Sequence, residues 1–138
     1  MAKNRLGLRG YVTSRNFGQY AIPVPLQSLA LRDYCTRNKH TYVLPVNENI
    51  FPHSYKVLEG MLKGLSDYHG ILMYSLHMLP QREERRRDFY KQILDQGCEL
   101  HVLLESIVIT TERDVEKLEE LVQLNQIASR VPKNLPLG

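Results

Sequence analysis

A chain of 138 residues, 43% apolar and 24% charged, has room for one globular domain with a single core, and that composition excludes disorder and fibrous repeats. The formal net charge of +3 tolerates an anionic ligand but falls short of the basic stripe of a dedicated nucleic-acid binder. No stretch reaches the ~18 apolar residues of a membrane span, and MAKNRLGLRG at the start carries no secretory signal pattern, so a cytoplasmic protein without membrane contact is expected.

Residues 6–13, LGLRGYVT, read as the first strand. Residues 24–38 read as the first helix, with Pro25 in its first turn and Leu26, Leu29, Ala30 and Tyr34 as its inward stripe. The second strand, 40–46, is placed at an edge, or near its own end, by Pro45. A second helix over 54–65 carries Val57, Leu58, Met61, Leu62 and Leu65 at helical spacing, with Ser54 as its cap. HGILMYS, 69–75, is the most apolar strand and takes the sheet centre. A third helix, 81–96, closes at Gly97, and its run QREERRRDFYKQ reads as a solvated face with i,i+4 pairs. Residues 98–109 read as a fourth strand with a short extension. The last helix starts at Thr111, which caps it, and has an acidic first turn. Its stripe of Val115, Leu118, Leu121, Val122 and Leu124 is long enough to serve a homo-oligomer as well as its own core. Cys35 and Cys98 read as buried free thiols. Residues 1–130 thus form one domain, and 131–138 a tail.

Alternating strands and helices predict an α/β fold with right-handed crossovers, a mainly parallel sheet of four to five strands in the order 2-1-3-4, and a C-terminal helix. In such sheets ligands bind beyond the carboxyl ends of the strands, at the point where the order reverses. Those ends carry Thr13, Ser14, Arg15 and Asn16; Asn47, Glu48 and Asn49; Tyr74, Ser75 and His77; and Glu105 and Ser106. Arg15 suits a carboxylate or phosphate held by two parallel hydrogen bonds, and His77 suits proton exchange near neutral pH. Glu105, ending an apolar run, is the stronger acid or base candidate of its strand. His101 lies four residues before it, about 13 Å along a strand, and reads as structural. The chain has no GxGxxG, no GxxxxGK[ST] and no His or Cys pair at metal-ligand spacing, so neither cofactor nor metal is expected.

Two resemblances follow from these segments. VTSR and QSLALRDYC, with Ser14, Gln27, Leu31, Tyr34 and Cys35, resemble the catalytic domain of serine recombinases, the resolvase and invertase group, and the likeness runs through most of residues 8–110. It implies a resolvase-like, flavodoxin-like three-layer sandwich and a serine nucleophile at Ser14. The chain departs from the family where its arginines belong. His77, Met78, Leu79, Pro80 and Gln81 stand in place of an Asp-Arg-Leu-x-Arg run, Val12 stands where an arginine precedes the serine, and Arg9 is displaced along the strand. Cleavage of a phosphodiester through a serine intermediate needs several cations around the phosphate, so a DNA recombinase is not what these residues imply.

RGYVTSRNFGQYAIPVPLQSLALRDYC, YSLHMLPQREERR and LHVLLES also resemble a family of small proteins found sporadically in bacterial carbohydrate-biosynthesis clusters. That likeness implies a setting, the making of a surface polysaccharide or unusual sugar, and a sugar, sugar phosphate or nucleotide-sugar as partner. The expected catalytic residues are Ser14, His77 and Glu105, and the expected ligand-binding residues are Arg9, Arg15, Gln27, Tyr74 and Ser75, with Asn16 to Tyr20 as a covering loop. Two alternatives stand beside this reading: a non-catalytic scaffold that dimerises through its last helix, and a DNA-binding remnant of a recombinase.

Overall fold

The computed structural model of the chain describes residues 5–17, 21–48 and 54–130, the last three by backbone alone. Asn49, the part of the covering loop from Gly18 to Tyr20, and the tail lie outside the described residues. Strand β1 (Leu8–Thr13) is central: β2 (Tyr42–Glu48) pairs with one side of it and β3 (Gly70–Met73) with the other, both in parallel. β4 (Glu99–Val102) runs parallel to β3, and β5 (Ile107–Ile109) runs antiparallel to β4. The order is β2-β1-β3-β4-β5, as the sequence predicts for the first four strands.

Each crossover carries a helix, which places the helices on the two faces. On one face α1 (Val24–Arg37) sets Leu31 and Cys35 against Leu8, Val12 and Leu72. On the other, α2 (Lys56–Gly60), α3 (Glu83–Asp95) and α4 (Glu112–Arg130) pack Leu58, Phe89, Ile93, Val115, Leu118 and Val122 against Tyr11, Ile71, Met73, Leu100, Val102 and Ile109. All four residues of β3 are buried, as a strand covered on both faces requires. At Gly70 a side chain would collide with the Glu99 backbone, so only glycine allows β3 and β4 to approach there. Pro45 lies in the outermost strand, where the register slips between Arg9 and Tyr11; a bulge there lets the missing N–H go unused. Gly97, at φ 68°, ends α3 in the left-handed conformation.

Four expectations are corrected. The predicted strand 98–109 is two strands joined by a turn over 103–106, with Ser106 at φ 57°, so His101 and Glu105 do not share a strand. The second helix stops at Gly60, followed by turns and a 3-10 helix at Leu65–Asp67, and Ser54 makes no side-chain cap to it. In α1, Leu26 and Leu29 are exposed, and the row facing the sheet is Gln27, Leu31 and Cys35. Polar Gln27 opens this row, which hides the face from any hydropathy pattern. In α3, Arg87 and Lys91 make the expected i,i+4 pairs with Glu83 and Asp95, but Arg86 is buried. Cys35 and Cys98 are free and buried, as expected. α4 begins with reciprocal caps: Thr111 Oγ1 accepts the Asp114 N–H, and Asp114 Oδ2 accepts both the N–H and the hydroxyl of Thr110 and of Thr111. No helix among the described residues is long and apolar enough to cross a membrane.

Candidate functional site

β2 and β3 leave β1 on opposite sides, so the winding reverses at the carboxyl ends of β1 and β3. The segment after β1 is fixed from behind. Gln27, fully buried, accepts the Thr13 N–H at 3.1 Å and donates to the Thr13 carbonyl at 2.7 Å and to the Ile22 carbonyl at 2.7 Å. Its amide is thus consumed by backbone, and Gln27 is a brace for the corner rather than a ligand contact. Thr13 Oγ1 then accepts the Arg15 N–H at 3.1 Å, and Ser14 is left exposed between them.

Arg15 is half-buried. Its Nη1 donates to the Ser54 carbonyl at 2.6 Å, and its guanidinium carbon lies 4.8 Å from the centre of the Tyr55 ring. Arg85 lies 5.0 Å from the same ring and is held by a bidentate pair with Glu59, which keeps that carboxyl below its ordinary value. No carboxylate among the described residues is ion-paired with Arg15, so its charge is oriented without being neutralised by a salt bridge. Beneath it, the buried Glu48 carboxylate accepts from the Tyr11 hydroxyl, Ser54 Oγ and the N–H groups of Val57 and Leu58. Burial first, and then the Glu48 charge, push the Tyr11 phenol far above its ordinary value. Sequence reasoning reads Glu48 only as one of three polar residues past a strand and passes over Tyr55; neither has a spacing signal, because both roles depend on contacts across elements.

On the β3 side, Ser75 is buried. Its hydroxyl donates to Glu105 Oε2 at 2.9 Å and accepts the His77 N–H at 3.2 Å, while Glu105 Oε1 accepts the Leu76 N–H at 2.9 Å. Glu105 therefore clamps the 3-10 helix Leu76–Met78 to the turn between β4 and β5. Tyr74 and His77 are half-buried, and the Tyr74 ring meets the buried Phe17 ring at 6.1 Å, so the segments following β1 and β3 touch. Arg9 is elsewhere. It is the second residue of β1, about 13 Å before Thr13, and stacks 5.4 Å from Tyr68 at the opposite, amino-terminal end of the strands. The structure thus does not bring Arg9 to the end of the sheet that carries Arg15.

No family model matches the chain, and no curated protein matches its sequence. Solved structures that share its architecture include an integrase domain and a recombinase. The N-terminal catalytic domain of TP901-1 integrase superposes with a TM-score of 0.57 at 15% identity, covering 88% of this chain and 96% of that one. A resolvase family site-specific recombinase from Streptococcus pneumoniae gives 0.58 at 12% identity, covering 89% and 91%. The fold is resolvase-like. At such identities the likeness extends to the fold alone, and neither structure bears on carbohydrate biosynthesis.

Within this resolvase-like frame the chemistry is limited. Among the described residues no histidine or carboxylate is hydrogen-bonded to Ser14. No group of three or more potential ligands can hold a metal ion among them either. A shallow concavity of about 200 Å³ is lined by Glu59, Leu62, Lys63, Asp88, Phe89 and Gln92. What the corner offers is one oriented cation beside an exposed hydroxyl.

Proposed function

We propose that the chain binds an anionic sugar-type ligand, a sugar phosphate or nucleotide-sugar, at the corner formed by Ser14 and Arg15, and serves carbohydrate biosynthesis as an enzyme or accessory protein. The observation that carries this reading is Arg15: a half-buried guanidinium, fixed by the Ser54 carbonyl and the Tyr55 ring, at the switch point, with no carboxylate among the described residues ion-paired to it. A phosphate oxygen would complete such a group. The carbohydrate setting comes from the resemblance of the quoted segments. Recombinase chemistry is disfavoured, since four other arginines are placed or paired elsewhere: Arg9 lies near the amino end of β1, while Arg85, Arg86 and Arg87 are paired with Glu59, Glu119 and Glu116.

The test is calorimetric titration with sugar phosphates and nucleotide-sugars. Saturable binding is expected, with a loss of about ten- to a hundredfold on Arg15→Ala, from a charge-assisted contact of about 1.5 to 3 kcal/mol, and no comparable loss on Arg9→Ala. No binding, or binding indifferent to Arg15→Ala, refutes the reading. A second reading, a dimeric scaffold for a partner enzyme, draws on the exposed Leu124 and Ile127 of α4.

A further inference from the structure

On the face of the sheet opposite α2, α3 and α4 lies a chain of titratable groups that the proposed site does not use. His101 of β4 is 3% exposed. Its Nε2 is 3.1 Å from Glu99 Oε1, and its Nδ1 is 2.6 Å from the Tyr34 hydroxyl of α1. Because the carboxylate accepts, Nε2 carries the proton of the neutral ring, and Nδ1 is left to accept the Tyr34 O–H. The ring of His40, from the segment after α1, stands edge-on to His101 at 5.1 Å, and the buried Cys35 thiol adjoins Tyr34. The ladder neighbours of His101, Leu72 and Val108, carry no charge. Arg37 adds its positive charge near Tyr34. No other ionisable group faces the ring among those described.

We propose that the Tyr34–His101–Glu99 chain is a proton-sensitive latch that holds α1 to β4 and, through α1, holds the corner at Thr13. When His101 is protonated, Nδ1 becomes a donor, so the 2.6 Å contact reverses its sense: the Tyr34 oxygen accepts and its own O–H must find another acceptor. The new charge is buried, with only the partly exposed Glu99 to offset it and His40 to oppose it. Burial accordingly lowers the affinity of His101 for a proton. A histidine that titrates below its unfolded value stabilises the fold fully above pH ~6.5, and that contribution drains away as pH falls through this value toward the folded one. The consequence travels along one rigid element. Tyr34 is seven residues, about 10 Å, from Gln27, whose amide fixes both backbone groups of Thr13.

Amide hydrogen exchange between pH 7.5 and 5.5, corrected for intrinsic rates, tests the latch. The opening equilibrium of α1 amides and of the Thr13 amide is expected to rise by up to tenfold per pH unit below ~6.5, the limit for one linked proton, while α3 amides that exchange by local opening, with the Tyr34–His101 contact intact, stay level. His101→Gln abolishes that slope, and His77→Gln leaves it intact. A flat α1 profile in the parent chain, or an unchanged slope in His101→Gln, overturns the proposal. Should His101→Gln fail to fold, the His101 Cε1–H resonance of the parent chain decides: its titration must coincide with the loss of α1 protection, and a mismatch overturns the latch. Neither readout involves a ligand, so the outcome is independent of the function proposed above.

Discussion

At the scale of single residues, this protein places its most consequential polar groups where hydropathy predicts apolar ones. Gln27 is fully buried and satisfies the N–H and C=O of Thr13, two groups that have left the regular ladder. Replacing it with leucine keeps the volume but strands both backbone groups, and each buried unpaired group costs about 1 to 3 kcal/mol. Gln27→Leu is therefore expected to lower stability by about 2 to 6 kcal/mol in urea titration, and, on the proposed function, to weaken sugar-phosphate binding at Arg15 by loosening the corner. An unchanged urea midpoint would show that Thr13 is held by something else. Glu48 follows the same logic, since its four donors come from β1, from Ser54 and from the start of α2.

At the scale of elements, the joint between α3 and α4 is a buried ion pair. Arg86, 1% exposed, makes a bidentate pair with Glu119, 2% exposed, and donates to the carbonyls of Pro80 and Gln81, while the Tyr90 hydroxyl donates to Glu119. The three side chains satisfy one another, and the hydrogen bonds from Arg86 and Tyr90 hold Glu119 below the ordinary range against the opposing effect of burial. Glu119→Ala leaves an uncompensated buried guanidinium and is expected to cost about 3 to 5 kcal/mol, whereas the double change Arg86→Met with Glu119→Leu recovers most of that loss. Thermal melts of the three variants measure it; a double variant no more stable than Glu119→Ala would contradict this account. This joint was illegible in the sequence. Arg86 stands among Arg85 and Arg87, both of which do pair at the surface, and nothing in a charge run marks which member turns inward. By contrast, the carboxyl ends of the strands were legible, because β1 and β3 are apolar runs that stop at polar residues. The role of each polar residue there was not, since whether a group faces solvent, as Ser14 does, or is consumed by backbone, as Gln27 is, depends on partners distant in sequence.

At the scale of the whole molecule, the order of the strands followed from alternating periodicity and short connections, while the β4–β5 hairpin escaped because its turn residues, Leu103 to Ser106, prolong an apolar run. The same packing settles which part of α4 is free to meet a partner. Val115, Leu118 and Val122 are spent on the core, so the predicted stripe from Val115 to Leu124 cannot serve an oligomer as a unit. Beyond it, Leu124 and Ile127, three apart on one side of the helix, are 61% and 58% exposed. Two such side chains are a small patch, and a self-association resting on them would be weak and concentration-dependent. If the scaffold reading holds, sedimentation equilibrium shows dimers that Leu124→Glu with Ile127→Glu converts to monomers, at an unchanged melting temperature because neither residue packs in the core. A parent chain that stays monomeric at about 100 μM, well above the micromolar range of modest interfaces, removes α4 as a dimer contact and with it the dimeric-scaffold reading.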